Sequence, residues 1–130
     1  MALMLASPVR AAAPNYILVS GTGLARPVLL ADWAENLTLL HAMAGSPRAT
    51  GTSVKGLTRR PSLDLAEFWG WSGLPRPTRA SQANQHGRFY PAHGTKPAVI
   101  VVMVNGAMYP RLVPAKVLRI FARRDIPLHL

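Results

Sequence analysis

The sequence predicts an α+β fold: a small antiparallel sheet of five or six strands, made of hairpins, with two helices packed on it. Three observations lead there. Short apolar, β-prone runs alternate with Gly- and Pro-containing turns. Two segments, after Asp32 and after Pro114, repeat apolar residues at helical spacing. Twelve prolines and ten glycines leave little room for long helices. The chain has 130 residues, 49% hydrophobic and 15% charged, which suffices for one core. A disordered chain would be poor in apolar residues and rich in charge.

Tyr16–Val19 and Pro27–Ala31 are apolar runs joined through Gly21-Thr22-Gly23, so residues 15–31 read as a hairpin. Asp32 can cap the helix that follows, with Glu35 at capping-box spacing. Trp33, Leu37, Leu40 and Ala44 make its apolar face, and Gly45 supplies a left-handed stop. Residues 45–61 read as a long loop. Ser62–Trp69 reads as a strand through Leu63, Leu65 and Trp69, although Glu67 breaks the stripe; a short helix is the alternative. A second long loop spans 70–87. Arg88–Tyr90 is a strand ended by Pro91, and a turn at His93–Lys96 leads into Ala98–Val104, Val/Ile-rich enough for a central strand. Asn105-Gly106 signals a hairpin into Ala107–Tyr109, which Pro110 confines to an edge. Pro114 opens the last helix, Val117, Ile120 and Phe121 form its apolar face, and Pro127 stops it.

Residues 14–130 therefore read as one domain. Residues 1–13 have two readings. Met1–Val9 is apolar and Ala11-Ala12-Ala13 resembles a small-residue cleavage site, as in the remnant of an export signal. The absence of a preceding basic residue, the shortness of the run and Pro14 count against that reading, and a frayed tail is the alternative. The first reading places the protein outside the cytoplasm, the second leaves it inside. The longest core-like apolar run, Ala98–Val104, is far short of the about 20 residues that span a bilayer. Without cysteine there is no disulfide, thiolate metal site or thiol nucleophile.

Fifteen Lys and Arg face five Asp and Glu, a formal net charge of +10. Such a field attracts an anionic polymer, nucleic acid included, or an acidic protein surface. Residues 1–44 are neutral, so the whole excess lies beyond them. It gathers in the first loop (Arg48, Lys55, Arg59, Arg60), in and beside the second (Arg76, Arg79, Arg88), and on the last helix. There Lys116, Arg119 and Arg123 share a stripe at i, i+3 and i+7, an ordinary solvated face unless a partner uses it.

No catalytic signature stands out: no phosphate-binding Gly-rich loop, no Gly-x-Ser-x-Gly elbow, and no metal-ligand spacing among His41, His86, His93 and His129. No cofactor is implied. The densest polar and aromatic constellation runs from Trp69 to His93 and includes Gln82 and Gln85; its candidate binding residues are Trp71, Arg76, Arg79, Asn84, His86, Arg88, Tyr90 and His93. Aromatic faces with amide and guanidinium donors suit polar or anionic ligands. The same residues also serve as core anchors, turn caps or partners for Asp64 and Glu67. The leading expectation is a non-enzymatic binding module for an acidic or polar partner. The alternatives are a nucleic-acid-binding protein, a small enzyme with a His/Arg/Tyr site around residues 86–93, and a module that dimerises through the edge near Tyr109.

Overall fold

The computed structural model describes residues 13–45, 54–71, 75–104 and 107–130. Six strands form one antiparallel sheet: β1 (Tyr16–Gly21), β2 (Val28–Leu30), β3 (Leu63–Phe68), β4 (Gln85–Tyr90), β5 (Val99–Val104) and β6 (Ala107–Leu112). Their spatial order is β2-β1-β3-β4-β5-β6. β1 thus pairs with β2 on one side and β3 on the other, and β3 to β6 form a meander. Among the described residues, three α-helices accompany the sheet: α1 (Trp33–Gly45), the single turn α2 (Val54–Leu57) and α3 (Ala115–Arg123). Among the described residues no helix is long and apolar enough to cross a membrane.

Strand alternation sorts the side chains onto two faces. Ile17, Val19, Leu63, Leu65, Phe89 and Ile100 point to one face, where Leu39 and Met43 of α1 and Val117, Ile120 and Phe121 of α3 cover them. Phe89 and Phe121 meet edge to face at 4.7 Å, anchoring α3 to the sheet. The other face also carries apolar side chains. Leu18, Ala66 and Phe68 are covered by Trp71, Ala80 and Ala83, whereas Tyr90, Val99 and Val101 cluster with Leu57 of α2. Burial on both faces explains the nearly unbroken apolar runs of β1 and β5.

Several expectations are corrected. The buried side of α1 is Asn36, Leu39, Ala42 and Met43, while Trp33 is 41% exposed and Leu37 and Leu40 are only half-buried. The segment is apolar on nearly all sides, so spacing alone does not choose the face. Asn36 instead spends its Nδ2 hydrogens on the carbonyls of Pro14, Asn15 and Leu30, at 3.1, 3.2 and 3.2 Å, tying α1 to the first hairpin. The first long loop contains α2, with Leu57 buried. The second is shorter than expected, because β4 begins at Gln85 and Ala80–Gln82 forms a 3₁₀ turn. β6 continues through Pro110 to Leu112, and it lies on the sheet's edge, where proline removes no ladder bond that the sheet needs. α3 ends at Arg123, not at Pro127: Asp125 turns the chain with φ 58°. Residues 1–12 of the segment 1–13, expected to be an export-signal remnant or a tail, and the Asn105-Gly106 turn lie outside the described residues.

Two glycines position the elements. Gly21 has φ 134°, and a Cβ there would stand 2.9 Å from the Ser62 carbonyl. A Cβ on Gly87 would stand 3.1 Å from Met43 Sδ, so the bare backbone at mid-β4 lets α1 lie close to the sheet.

Candidate functional site

On the sheet face away from α1 and α3, alternation places Asp64 of β3 beside His86 and Arg88 of β4. Directly across the ladder, His86 faces Ala66 and Arg88 faces Asp64. Both β4 side chains lean one step toward the start of β3. His86 Nδ1 lies 2.9 Å from Asp64 Oδ1 and 3.2 Å from Oδ2. An N–H there donates to the carboxylate, which leaves Nε2 for solvent or a ligand. Arg88 donates from NH1 to Ser62 Oγ at 2.8 Å, in place of the carboxylate pairing considered from the sequence. His86 is 47% exposed at its side chain and Asp64 21%.

The rest of the predicted constellation divides. Trp71 meets Phe68 edge to face at 5.1 Å and donates from Nε1 to the Pro75 carbonyl at 2.6 Å. Asn84 Oδ1 accepts from the Trp69 amide at 2.7 Å. Tyr90 is buried with Leu57, Val99 and Val101. His93 sits in the turn closed with Lys96, where its Nδ1 meets the Leu130 carbonyl. These side chains hold loops against the sheet, and His93 stands apart from the His86–Asp64 pair. Arg76 and Arg79 are exposed, on the loop whose Ala80 and Ala83 rest on the same sheet face as His86.

The helical side carries a second feature. A groove of about 270 Å³ runs between α1 and α3, lined by Glu35, Thr38, Lys116, Arg119, Ile120 and Arg123. All three residues of the predicted α3 stripe line it. The Glu35 amide donates to Asp32 Oδ1 at 3.0 Å, which is half of the expected capping box. The Glu35 carboxylate goes elsewhere. Its Oε1 accepts from Arg124 at 2.8 and 3.1 Å, and its Oε2 from Arg123 at 3.3 Å. Glu35 and Ile120 carried no functional signal in the sequence, because the partners of Glu35 lie 88 and 89 residues away.

Two charged groups are buried outside these sites. Glu67, 3% exposed, accepts from Trp69 Nε1 at 3.1 Å. Burial raises its pKa, while the Trp69 bond and the nearby His86 pull it back down. Arg60, 8% exposed, donates from NH2 to the Pro91 and Pro97 carbonyls at 2.8 and 2.9 Å. Burial lowers its pKa. It reads as a clamp on the segment between β4 and β5. Among the described residues, no three His, Asp or Glu side chains gather as a metal site would need.

No protein-family profile, no curated protein and no solved structure matches this chain. The functional reading therefore rests on geometry and charge.

Proposed function

We propose that this domain is a non-enzymatic binding module that takes an acidic segment of a partner protein into the α1–α3 groove. The observation that carries the reading is the groove's charge. Three cations line it against one carboxylate, and that carboxylate is already held by Arg123 and Arg124. Lys116 and Arg119 have no ion-pair partner among the described residues. The α1 N-terminus adds partial positive charge at the same place.

The dimensions favour a short peptide over nucleic acid. From Lys116 to Arg123 the stripe is about 10 Å long at 1.5 Å per residue. That length matches about three residues of extended chain, and salt-sensitive nucleic-acid binding needs more phosphate contacts than so short a stripe reaches. Ile120, 4% exposed, forms only an apolar floor to the groove, which a peptide side chain can use and a phosphodiester cannot. A segment with Asp or Glu near an apolar residue uses both features.

The test compares a glutamate-rich peptide containing one leucine with a single-stranded oligonucleotide of equal charge, across a salt series. The peptide should bind more tightly at low salt, weaken as salt rises, and lose most of its affinity in a Lys116→Glu, Arg119→Glu variant. Binding unaffected by that variant would sink the reading. Tighter binding of the oligonucleotide, with a steep salt dependence, would replace it with the nucleic-acid alternative.

A further inference from the structure

The polar cluster on the opposite face does not depend on the groove and points to a different ligand. We infer that His86, Arg88 and Ser62, with Asp64 as the residue that positions His86, form a binding site for a phosphate group.

Three donors stand in a row across β3 and β4. Asp64 engages His86 at Nδ1 with both carboxylate oxygens, so its charge lies behind the imidazole and Nε2 faces outward. Arg88 spends one N–H on Ser62 and keeps the remainder of its five. Ser62 Oγ accepts from Arg88, so its own proton remains to donate. Residues two apart on one strand face are separated by about 6.6–6.8 Å. Two charge-assisted bonds of about 2.7–2.9 Å, one from His86 and one from Arg88, bridge that gap around a single tetrahedral anion. Ser20 faces Asp64 from β1, and Ala66, directly across from His86, is buried beneath Ala80 and Ala83, so access to the cluster is over the exposed His86 and Arg88.

The imidazole selects phosphate among oxyanions. With Nδ1 committed to Asp64, a protonated ring donates from Nε2, and a neutral ring accepts there. Phosphate carries both P–O⁻ and P–OH near neutral pH, so it satisfies Nε2 in either state. Sulfate offers acceptors alone, and so does a carboxylate. Arg88 supplies the charge and Asp64 holds the ring in place.

The experiment titrates the ¹⁵N-labelled chain with inorganic phosphate at constant ionic strength and follows the His86 imidazole resonances. The expected result is a saturable shift with a Kd on the order of 1 mM. Arg88→Gln should weaken it about ten-fold or more through loss of a charge-assisted bond, with Arg88→Lys intermediate. Asp64→Asn should weaken binding and also change the coupling pattern that reports the His86 tautomer. The Lys116→Glu, Arg119→Glu variant, altered on the opposite face, should bind phosphate as the parent does. That result separates this site from the groove. The amide spectrum of each variant shows whether the fold is intact. A non-saturating shift, an equal response to sulfate and acetate, or full binding by Arg88→Gln would overturn the proposal.

Discussion

Replacing Glu35 by Gln should weaken the fold and tighten the groove's hold on an acidic ligand. Few substitutions move stability and affinity in opposite directions for one stated cause. Glu35 sits 11% exposed at its side chain, between guanidiniums that are 61% and 43% exposed. Solvent screening limits each exposed ion pair to about 0.2–1 kcal/mol. A carboxylate in the first turn of a helix adds about 0.3–1 kcal/mol through the macrodipole. The glutamine amide oxygen retains part of the hydrogen bonding, so the net loss is about 1 kcal/mol, a fall in Tm of about 4 °C at this size. Binding moves the other way. A ligand carboxylate about 7 Å from Glu35 is repelled by about 0.6 kcal/mol even at the dielectric constant of water. Removing that charge strengthens binding roughly threefold. The assay is fluorescence anisotropy with the labelled glutamate-rich peptide at low salt, beside a thermal melt. Asp64→Asn, with the same change in net charge on the opposite sheet face, is the control and should leave peptide binding nearly unchanged. If Glu35→Gln lowers Tm and binds the peptide no better than that control, the groove is not where the peptide sits.

Two further predictions concern buried polar groups. Asn36→Ala should cost about 2–3 kcal/mol in urea unfolding, because it removes the donor from two buried carbonyls and one part-buried carbonyl at the α1–hairpin junction; a loss under about 1 kcal/mol would mean that water replaces the amide there. Glu67→Gln should flatten the dependence of stability on pH. Because the folded-state pKa of Glu67 is raised, mainly by burial, its favourable contribution is complete below the ordinary glutamate pKa and is lost as pH rises through the raised value. Urea midpoints measured upward from pH 4 should fall more steeply for the parent than for the variant, and parallel curves would show that Glu67 carries no such linkage.

Much of the fold was legible because local rules and tertiary packing agree there. Val117, Ile120 and Phe121 repeat at helical spacing, and all three are buried. Pro110 demanded an edge, and β6 is one. The failures share a cause. Gln85, His86 and Gly87 look like loop because one face of β4 is polar and Gly87 is bare where Met43 of α1 crosses it. α1 is apolar nearly all round, so its buried face is chosen by the Asn36 bonds to the first hairpin, which spacing does not encode. Glu67 interrupts an apolar stripe and yet is buried within it, beside an indole donor contributed two residues later. Asp64 and His86 are 22 residues apart, and only the β3–β4 register brings them together.

The register also changes the meaning of the charge. By segment, residues 1–44 are neutral and the excess follows them. In space that division disappears, because Glu35 from the neutral segment binds Arg123 at the end of α3 and Arg124 just after it. The chain has five carboxylates, and four already have assignments. Asp32 caps α1, Glu35 holds the two arginines, Asp64 orients His86, and Glu67 is buried against Trp69. Asp125 is exposed at the left-handed turn that ends α3, and Asp32, though its Oδ1 is held by the Glu35 amide, is exposed as well. Arg76, Arg79, Lys116 and Arg119 are all exposed, and the protein has almost no carboxylate left to neutralise them. Cations present only to solubilise a domain need no such arrangement, since interspersed acids serve that purpose as well. A surface whose acids are consumed internally is one whose countercharge comes from outside, and this is the physical ground for expecting an anionic partner.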